Sequence, residues 1–374
     1  MTSRKKIVVT GADGFVAKNL RARLRDLGHH EVRPVTRLTT SEQLVATLSD
    51  ADLVIHLAGV NRPTDAGEFV TGNVDFTRTL CSLLIDGAHP VPIVYSSSTQ
   101  AVLDNDYGRS KRAAEEVLLD YSARTGVPVY LARMTNVFGK WGRPHYNSAV
   151  NTFCYQLARS QPIRINDPSV PLRLLYVEDA VDAFVRLIDV PPSAGGYVDI
   201  GPIYDITVGE LATTLQGFVD GRDSLRIDRV GDGLARALYS TYVSYLPPER
   251  FAYQVPSHRD VRGSFVEMLK TADSGQFSYF TAGSGVTRGE HYHHTKTEKF
   301  LVVKGIARFR FRNVDNGESY ELTTQGGDPR IVESIPGWAH NITNVGDEEL
   351  VVMLWANEVF DRSRPDTVAM KVVQ

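Results

Sequence analysis

The stretch Ile7-Val-Val-Thr-Gly11-Ala-Asp-Gly14-Phe-Val-Ala17 decides the fold of the first half of the chain. Its β-branched start reads as a buried strand, and the residues after Gly14 begin a helical pattern. Two glycines sit between them. Gly11 permits the tight turn, Gly14 lets the backbone approach a pyrophosphate, and Ala17 packs helix against strand. The amides at the helix start then face phosphate oxygens. Asp13, Phe15 and Val16, in the same turn, are further candidate cofactor contacts.

Outward from this turn the pattern repeats. Apolar strands are expected near 31–35, 53–57, 92–96 and 129–133, with helices between them, for example over 16–27, 75–84 and 107–121. Short apolar strands alternating with helices predict a Rossmann-like, doubly wound parallel sheet. Leu57-Ala58-Gly59, after the third strand, is expected beside the same cofactor. The second strand ends in Pro34-Val-Thr-Arg37 without the acidic residue that binds the adenosine ribose in NAD enzymes. Arg37 suits a 2′-phosphate instead, so the expected cofactor is NADPH.

The chain has 374 residues, 42% hydrophobic content, a formal charge of -3 and two cysteines. That length supports two domains with separate cores. The charge argues against nucleic acid as a partner. Cys81 and Cys154 cannot build a disulfide framework, which favours a reducing cytoplasm. No apolar run approaches the ~20 residues that span a bilayer, so no membrane partner is expected.

Tyr107-Gly-Arg-Ser-Lys111 places a phenol and an ammonium at i and i+4, on one helix face. The lysine is expected to lower the phenol's pKa and to hold a ribose, while the phenol gives a proton to a carbonyl oxygen. A hydroxyl from Ser96-Ser-Ser98 would bind the same oxygen. Ser98 is the first choice by position, with Ser97 and Thr99 as alternatives. Together with Val54-Ile-His-Leu-Ala58, Arg133-Met-Thr-Asn136-Val-Phe-Gly139 and Tyr176-Val-x-Asp179, these strings resemble the extended short-chain dehydrogenase/reductase family. The resemblance implies nucleotide-sugar substrates and a catalytic Ser98, Tyr107 and Lys111. It also places Asn136 and Arg173 toward the sugar nucleotide. Sugar 4,6-dehydratases of that family carry an Asp-Glu pair where this chain has Thr99-Gln-Ala-Val-Leu, so keto reduction is expected rather than dehydration. The gap from Ser98 to Tyr107 is shorter than the family's common spacing.

After Leu246-Pro-Pro-Glu the grammar changes to strands separated by glycine or Asn/Asp turns. Residues 1–245 are therefore assigned to the reductase-like domain and 246–374 to an all-β domain of jelly-roll type. The region around 230–259 is aromatic-rich and expected to be packed. Gly285-x5-His291-x-His293-x4-Glu298-x6-Gly305 resembles the first cupin motif, and Pro336-Gly337-Trp-Ala-His340-Asn-Ile-Thr-Asn344 the second. A His-x-His pair on one strand shares a face. His291, His293, Glu298 and His340 are the candidate ligands of one divalent metal, with Zn²⁺ the first choice for such mixed nitrogen and oxygen donors. Tyr292 and His294 alternate to the other face.

The segments from His258 to Glu267 and from Val286 to Tyr292 also resemble deoxy-sugar 3,5-epimerases of the cupin class. That likeness implies substrate contacts at Arg262, Arg288 and Lys299. The order of the two halves, with strings such as Gly59-Val-Asn-Arg-Pro63, His293-His-Thr-Lys296 and Pro365-Asp-Thr367, resembles bifunctional capsular polysaccharide synthesis enzymes of the CapF type. What this implies is C3-epimerisation of a UDP-4-keto-6-deoxy-HexNAc in the cupin domain. NADPH-dependent C4 reduction to UDP-2-acetamido-2,6-dideoxy-L-talose follows, on the route to UDP-N-acetyl-L-fucosamine. A homo-oligomer, dimer or higher, is implied by resemblance alone. The alternative is a single-function NDP-sugar 4-ketoreductase or 4-epimerase with a non-catalytic cupin.

Overall fold

A computed structural model describes residues 4–65, 67–294, 296–363 and 365–373. By contact the chain divides into two units, Met1–Leu215 with Arg236–Leu246, and Gln216–Ala235 with Pro247–Gln374.

In the first unit the strands are β1 (Lys6–Thr10), β2 (Glu31–Val35), β3 (Leu53–His56), β4 (Ile93–Ser98), β5 (Val129–Met134), β6 (Asn136–Phe138), β7 (Pro171–Tyr176), β8 (Gly196–Tyr197) and β9 (Ile203–Thr207). Six of them form a sheet ordered β2-β1-β3-β4-β5-β8, parallel at every junction. The central strands are apolar along their length because helices cover such a sheet on both faces. Ile7, Val8, Val9, Val54, Ile55, Ile93 and Val94 are fully buried. The order reverses at β1, where chains diverge to either side and leave a crevice at the strand ends. β6, β7 and β9 form a separate small sheet.

Helix Asp106–Thr125 carries the Tyr-x-x-x-Lys pair and shows how the site is held. Asn105 caps its start by accepting the Gly108 amide at 2.7 Å, and Gly126, at φ 72°, ends it. Its inner face buries Ala114, Leu118 and Tyr121 against Val91, Ile93 and Leu131. Burying each large side chain there stabilises the packing by about 1.5–3 kcal/mol. The short Ser98-to-Tyr107 gap is bridged by a 3-10 turn, Thr99–Val102. Gly108 makes this compact path fit, since a Cβ there would lie 2.3 Å from the Gln100 carbonyl oxygen.

The second unit contains β10 (Arg226–Ile227), β11 (Ser257–Asp260), β12 (Gly263–Thr271), β13 (Gln276–Ala282), β14 (Thr287–Tyr292), β15 (Glu298–Lys304), β16 (Ile306–Asn313), β17 (Ser319–Gln325), β18 (Ile331–Ser334), β19 (Trp338–Asn344), β20 (Leu350–Ala356) and β21 (Val368–Ala369). One sheet runs β10-β12-β13-β20-β15-β18 with β11 on β12, and the other runs β17-β16-β19-β14-β21. Their inner faces share one core, with Phe280, Phe300, Val302 and Val352 from the first and Ala307, Phe309, Phe311 and Ile342 from the second. This unit is all-β apart from short helical stretches.

Segment 216–235 groups with the β unit, although it precedes the 245/246 division expected from sequence. The cause is β10, which pairs in parallel with β12 through Arg226↔Lys270. The aromatic region divides: Tyr242 is buried and the Tyr245 hydroxyl donates to the Gly142 carbonyl, whereas Phe251 and Tyr253 are exposed.

Candidate active and metal sites

The glycine turn lies at the C-terminal end of β1. Gly11 has φ 62°, and a Cβ there would come within 2.7 Å of Ala58. Gly11 thus serves both the left-handed turn and the close approach to the segment after β3. The Gly14 amide donates to the Gly11 carbonyl at 2.8 Å, and helix Phe15–Leu27 starts at the next residue. Ala17 is buried, and Asp13 is exposed in the turn. Arg37 lies exposed just beyond β2, the neighbour of β1.

Sequence reading missed the groups that fix the segment after β3. Asn73 accepts from the Val60 amide at 2.7 Å and donates to the Val60 carbonyl at 3.0 Å. Buried His56 sits between the hydroxyls of Thr10 (2.7 Å) and Thr77 (2.9 Å). Burial, and then the Lys111 charge, press its pKa down to about 3. No spacing rule marks Asn73, because it reaches Val60 from a separate helix.

Ser98 meets Tyr107, and Lys111, one helix turn on from Tyr107, reaches back to β4. Of the three serines, Ser97 turns away and donates to Glu115, and Ser96 donates to the His56 carbonyl at 3.3 Å. Ser98 is the one that hydrogen-bonds the Tyr107 phenol. The expected lowering of the phenol's pKa is corrected here. Burial raises it, and the Ser98 bond opposes that. The buried Lys111 ammonium instead donates to the Ser96 carbonyl at 2.8 Å and the Tyr95 hydroxyl at 3.2 Å. Burial pulls its pKa down to about 8, and Glu115 pulls the other way.

Glu115 continues the stripe Tyr107, Lys111 at another i+4 step, a signal the sequence did offer. It accepts from Arg133 Nε at 2.9 Å and Nη2 at 2.5 Å, and from Tyr197 at 3.2 Å. Burial would raise its carboxyl, but the Arg133 and Ser97 bonds win and hold it low. This ion pair ties the catalytic-type helix to β4, β5 and β8. Asn136 and Arg173 are both exposed, on the paired strands β6 and β7, and Arg173 lies 3.6 Å from Asp205.

In the second unit His291, His293, Glu298 and His340 present ligand atoms that all lie within 4.8 Å of one another. Register explains this. His291 stands opposite His340 across β14 and β19, and directly opposed residues share a face. Arg288 stands opposite Ile342, so it faces the same interior. Three residues apart, Arg288 and His291 would ordinarily face opposite ways. A bulge at Glu290, φ 63°, restores the match.

One Glu298 oxygen lies 3.2 Å from His293 Nε2 and 3.3 Å from His340 Nε2. His340 Nδ1 is buried without a hydrogen-bond partner among the described residues. Burial would raise the Glu298 carboxyl, but the two imidazoles and Lys296 hold it far below the carboxylate range. Burial, then His340, lowers His291 to about 4. Three imidazoles converging on an ionised carboxylate form a donor set that fits a divalent cation. Tyr292 and His294 pair with each other instead, ring centroids 5.3 Å apart.

Of the three expected substrate contacts, Arg288 faces the interior that holds the cluster, Arg262 is felt by Arg288, and Lys299 points elsewhere. Arg288 is half-buried over the Phe280 ring at 5.0 Å, and burial and Arg262 lower its pKa. Arg262 is exposed and paired with Asp260 at 2.5 Å. Lys299 is turned away from the cluster. It follows Glu298 on β15, so it takes the outer face, where it pairs with Glu333. The cation that reaches Glu298 is Lys296, buried and 3.5 Å from it.

Among the described residues a second set, His29, His30 and Asp189, is close enough for a metal. The Lys5 amide donates to His30 Nδ1 at 3.4 Å, so the ring proton sits on Nε2 and goes to Asp189 at 3.0 Å. That atom has no lone pair to offer, and the set reads as a structural hydrogen-bonded pair.

The whole chain has close counterparts. It is 54% identical over 367 residues, 98% of its length and 99% of the relative's, to the UDP-2-acetamido-2,6-beta-L-arabino-hexul-4-ose reductase of Pseudomonas aeruginosa. It also superposes with a TM-score of 0.91, at 42% identity, on the capsular polysaccharide assembling protein CapF of Staphylococcus aureus, covering 98% of this chain and 100% of that one. The chain belongs to the CapF family. Residues 7–201 match the NAD dependent epimerase/dehydratase family, with which a nicotinamide cofactor goes, and residues 258–368 match the polysaccharide biosynthesis C-terminal domain. The UDP-glucuronic acid 4-epimerase of Bacillus cereus, solved with NAD, shares 18% identity and a TM-score of 0.55, with 64% of this chain covered and 96% of that one, which speaks for the fold of the first unit alone. Among the described residues no helix is long and apolar enough to cross a membrane.

Proposed function

We propose that this CapF-family chain handles the C4 ketone of a UDP-4-keto-6-deoxy-HexNAc twice. The β unit, read as a cupin jelly roll, epimerises C3. The Rossmann-like unit then reduces C4, giving UDP-2-acetamido-2,6-dideoxy-L-talose on the route to UDP-N-acetyl-L-fucosamine. The observation that carries the reading is the coexistence of two complete polar sites, Ser98-Tyr107-Lys111 and His291-His293-Glu298-His340, in a chain matched end to end by a named UDP-sugar reductase.

In the reductase unit NADPH would supply hydride when bound along Gly11, Gly14 and Ala58-Gly59, with Arg37 toward the 2′-phosphate. Tyr107 gives its phenolic proton to the C4 oxygen. A phenol keeps that proton at neutral pH, so the residue has it to give. Ser98 holds the same oxygen, and Lys111 binds the ribose. Asn136 and Arg173 bind the sugar nucleotide.

In the β unit a divalent ion, Zn²⁺ by the nitrogen-rich donor set, would be held by His291, His293, Glu298 and His340 and would supply Lewis-acid polarisation of the carbonyl. The ketone acidifies the adjacent C–H, and the enolate's charge is favoured by the cations that face inward. Arg288 takes the nucleotide's charge, with Arg262 beside it. Lys296, rather than Lys299, stands at the cluster.

Incubation of the full chain with the 4-keto sugar and NADPH tests the reduction. Tyr107→Phe is expected to lower the rate of NADPH oxidation about 10²–10⁴-fold with little change in NADPH affinity. An unchanged rate would remove Tyr107 as the acid.

A further inference from the structure

We infer that Asp366 is a positioning residue for the metal cluster, acting through a C-terminal segment that locks His293 in its ligating tautomer; this rests on the metal reading above. The Asp366 carbonyl accepts from His293 Nδ1. A carbonyl only accepts, so a ring proton sits on Nδ1, and Nε2, 3.2 Å from Glu298, is the nitrogen left to ligate a metal. The Asp366 carboxylate grips the chain that carries these ligands, accepting from the His294 amide on one oxygen and the Lys296 amide on the other, both at 2.9 Å. Charge-assisted bonds of this kind are the stronger class.

The segment is held beyond Asp366 as well. β21 pairs with β14 through His291↔Ala369, and the Met370 amide donates to the Glu290 carbonyl at 2.9 Å. The Glu290 carboxylate accepts from the Val372 amide and from the Asn341 side chain, both at 2.7 Å. One segment therefore touches His291 by backbone pairing and His293 by its side chain. Partners of this kind, outside the ligands themselves, typically change metal affinity 10–100-fold.

Zinc affinity of the full chain, measured by competition with a chromophoric chelator, tests this alongside the visible absorption of the Co²⁺-loaded protein. Asp366→Ala is expected to weaken zinc binding about 10–100-fold and to alter the Co²⁺ bands. Asp366→Asn, which keeps one amide acceptor, should fall between. The thermal midpoint should fall more in the zinc-loaded protein than in the metal-stripped protein, where only the two amide bonds are lost. Should Asp366→Ala fail to fold, Glu290→Gln loosens the same segment from its far end and should weaken zinc binding in the same direction. A variant that binds zinc with wild-type affinity and Co²⁺ spectrum overturns the inference, as does a midpoint loss without an affinity loss. A wild-type chain that takes up no zinc overturns the metal reading and this inference with it.

Discussion

At the scale of single residues, the site is governed by which charges burial permits. Lys111 is fully enclosed and titrates near 8 rather than at its ordinary value. Its folded pKa is below its unfolded one, so between about 8 and 10.5 the unfolded chain holds the extra proton, and stability rises with pH across that window. Cofactor binding runs the other way, since a neutral lysine is a poorer ribose partner. NADPH affinity, followed by fluorescence titration, is expected to fall as pH passes about 8, and Lys111→Met should flatten that dependence. Ser97 and Ser98 are neighbours with different duties. Ser98→Ala should reduce turnover while leaving stability nearly unchanged. Ser97→Ala should instead cost about 1–3 kcal/mol in denaturant unfolding, because Glu115 loses a buried donor.

At the scale of elements, much of the architecture was legible because its signals are local. The Gly11–Gly14 turn, the i, i+4 stripe and the His-x-His pair each state their geometry within a few residues, and the strands from β1 to β5 appear where the apolar runs stand. What sequence could not supply depends on register. Lys299 occupies a family-like position, yet one step along β15 from Glu298 turns it outward, and Lys296 takes the inward place. Arg288 and His291 share a face only through the bulge at Glu290, which no spacing rule announces. The parallel pairing of β10 with β12 moves segment 216–235 into the β unit for the same reason: a two-residue strand leaves no pattern. Acid stability follows from two elements as well. His56 and His291 are held neutral to about 3 and 4, below the unfolded value, so the unfolded chain binds more protons as pH falls from 6.5. Unfolding midpoints measured from pH 7 to 4 should decline, and His56→Gln should lessen the decline in the first unit.

At the scale of the whole chain, the proposed function gives both units chemistry on one functional group, a ketone. The Rossmann-like unit offers a phenol poised to give a proton, and the β unit offers a nest of ligands beside inward-facing cations. Stripping metal with a chelator should therefore leave NADPH binding intact and remove only proton exchange. The most direct test is to give the full chain UDP-4-keto-6-deoxy-HexNAc in D₂O with no NADPH and follow C3 by NMR. Deuterium should enter at C3, and Glu298→Ala should abolish its entry. A wild-type chain that oxidises NADPH with this substrate yet never exchanges C3 would contradict the two-step reading and leave a reductase alone.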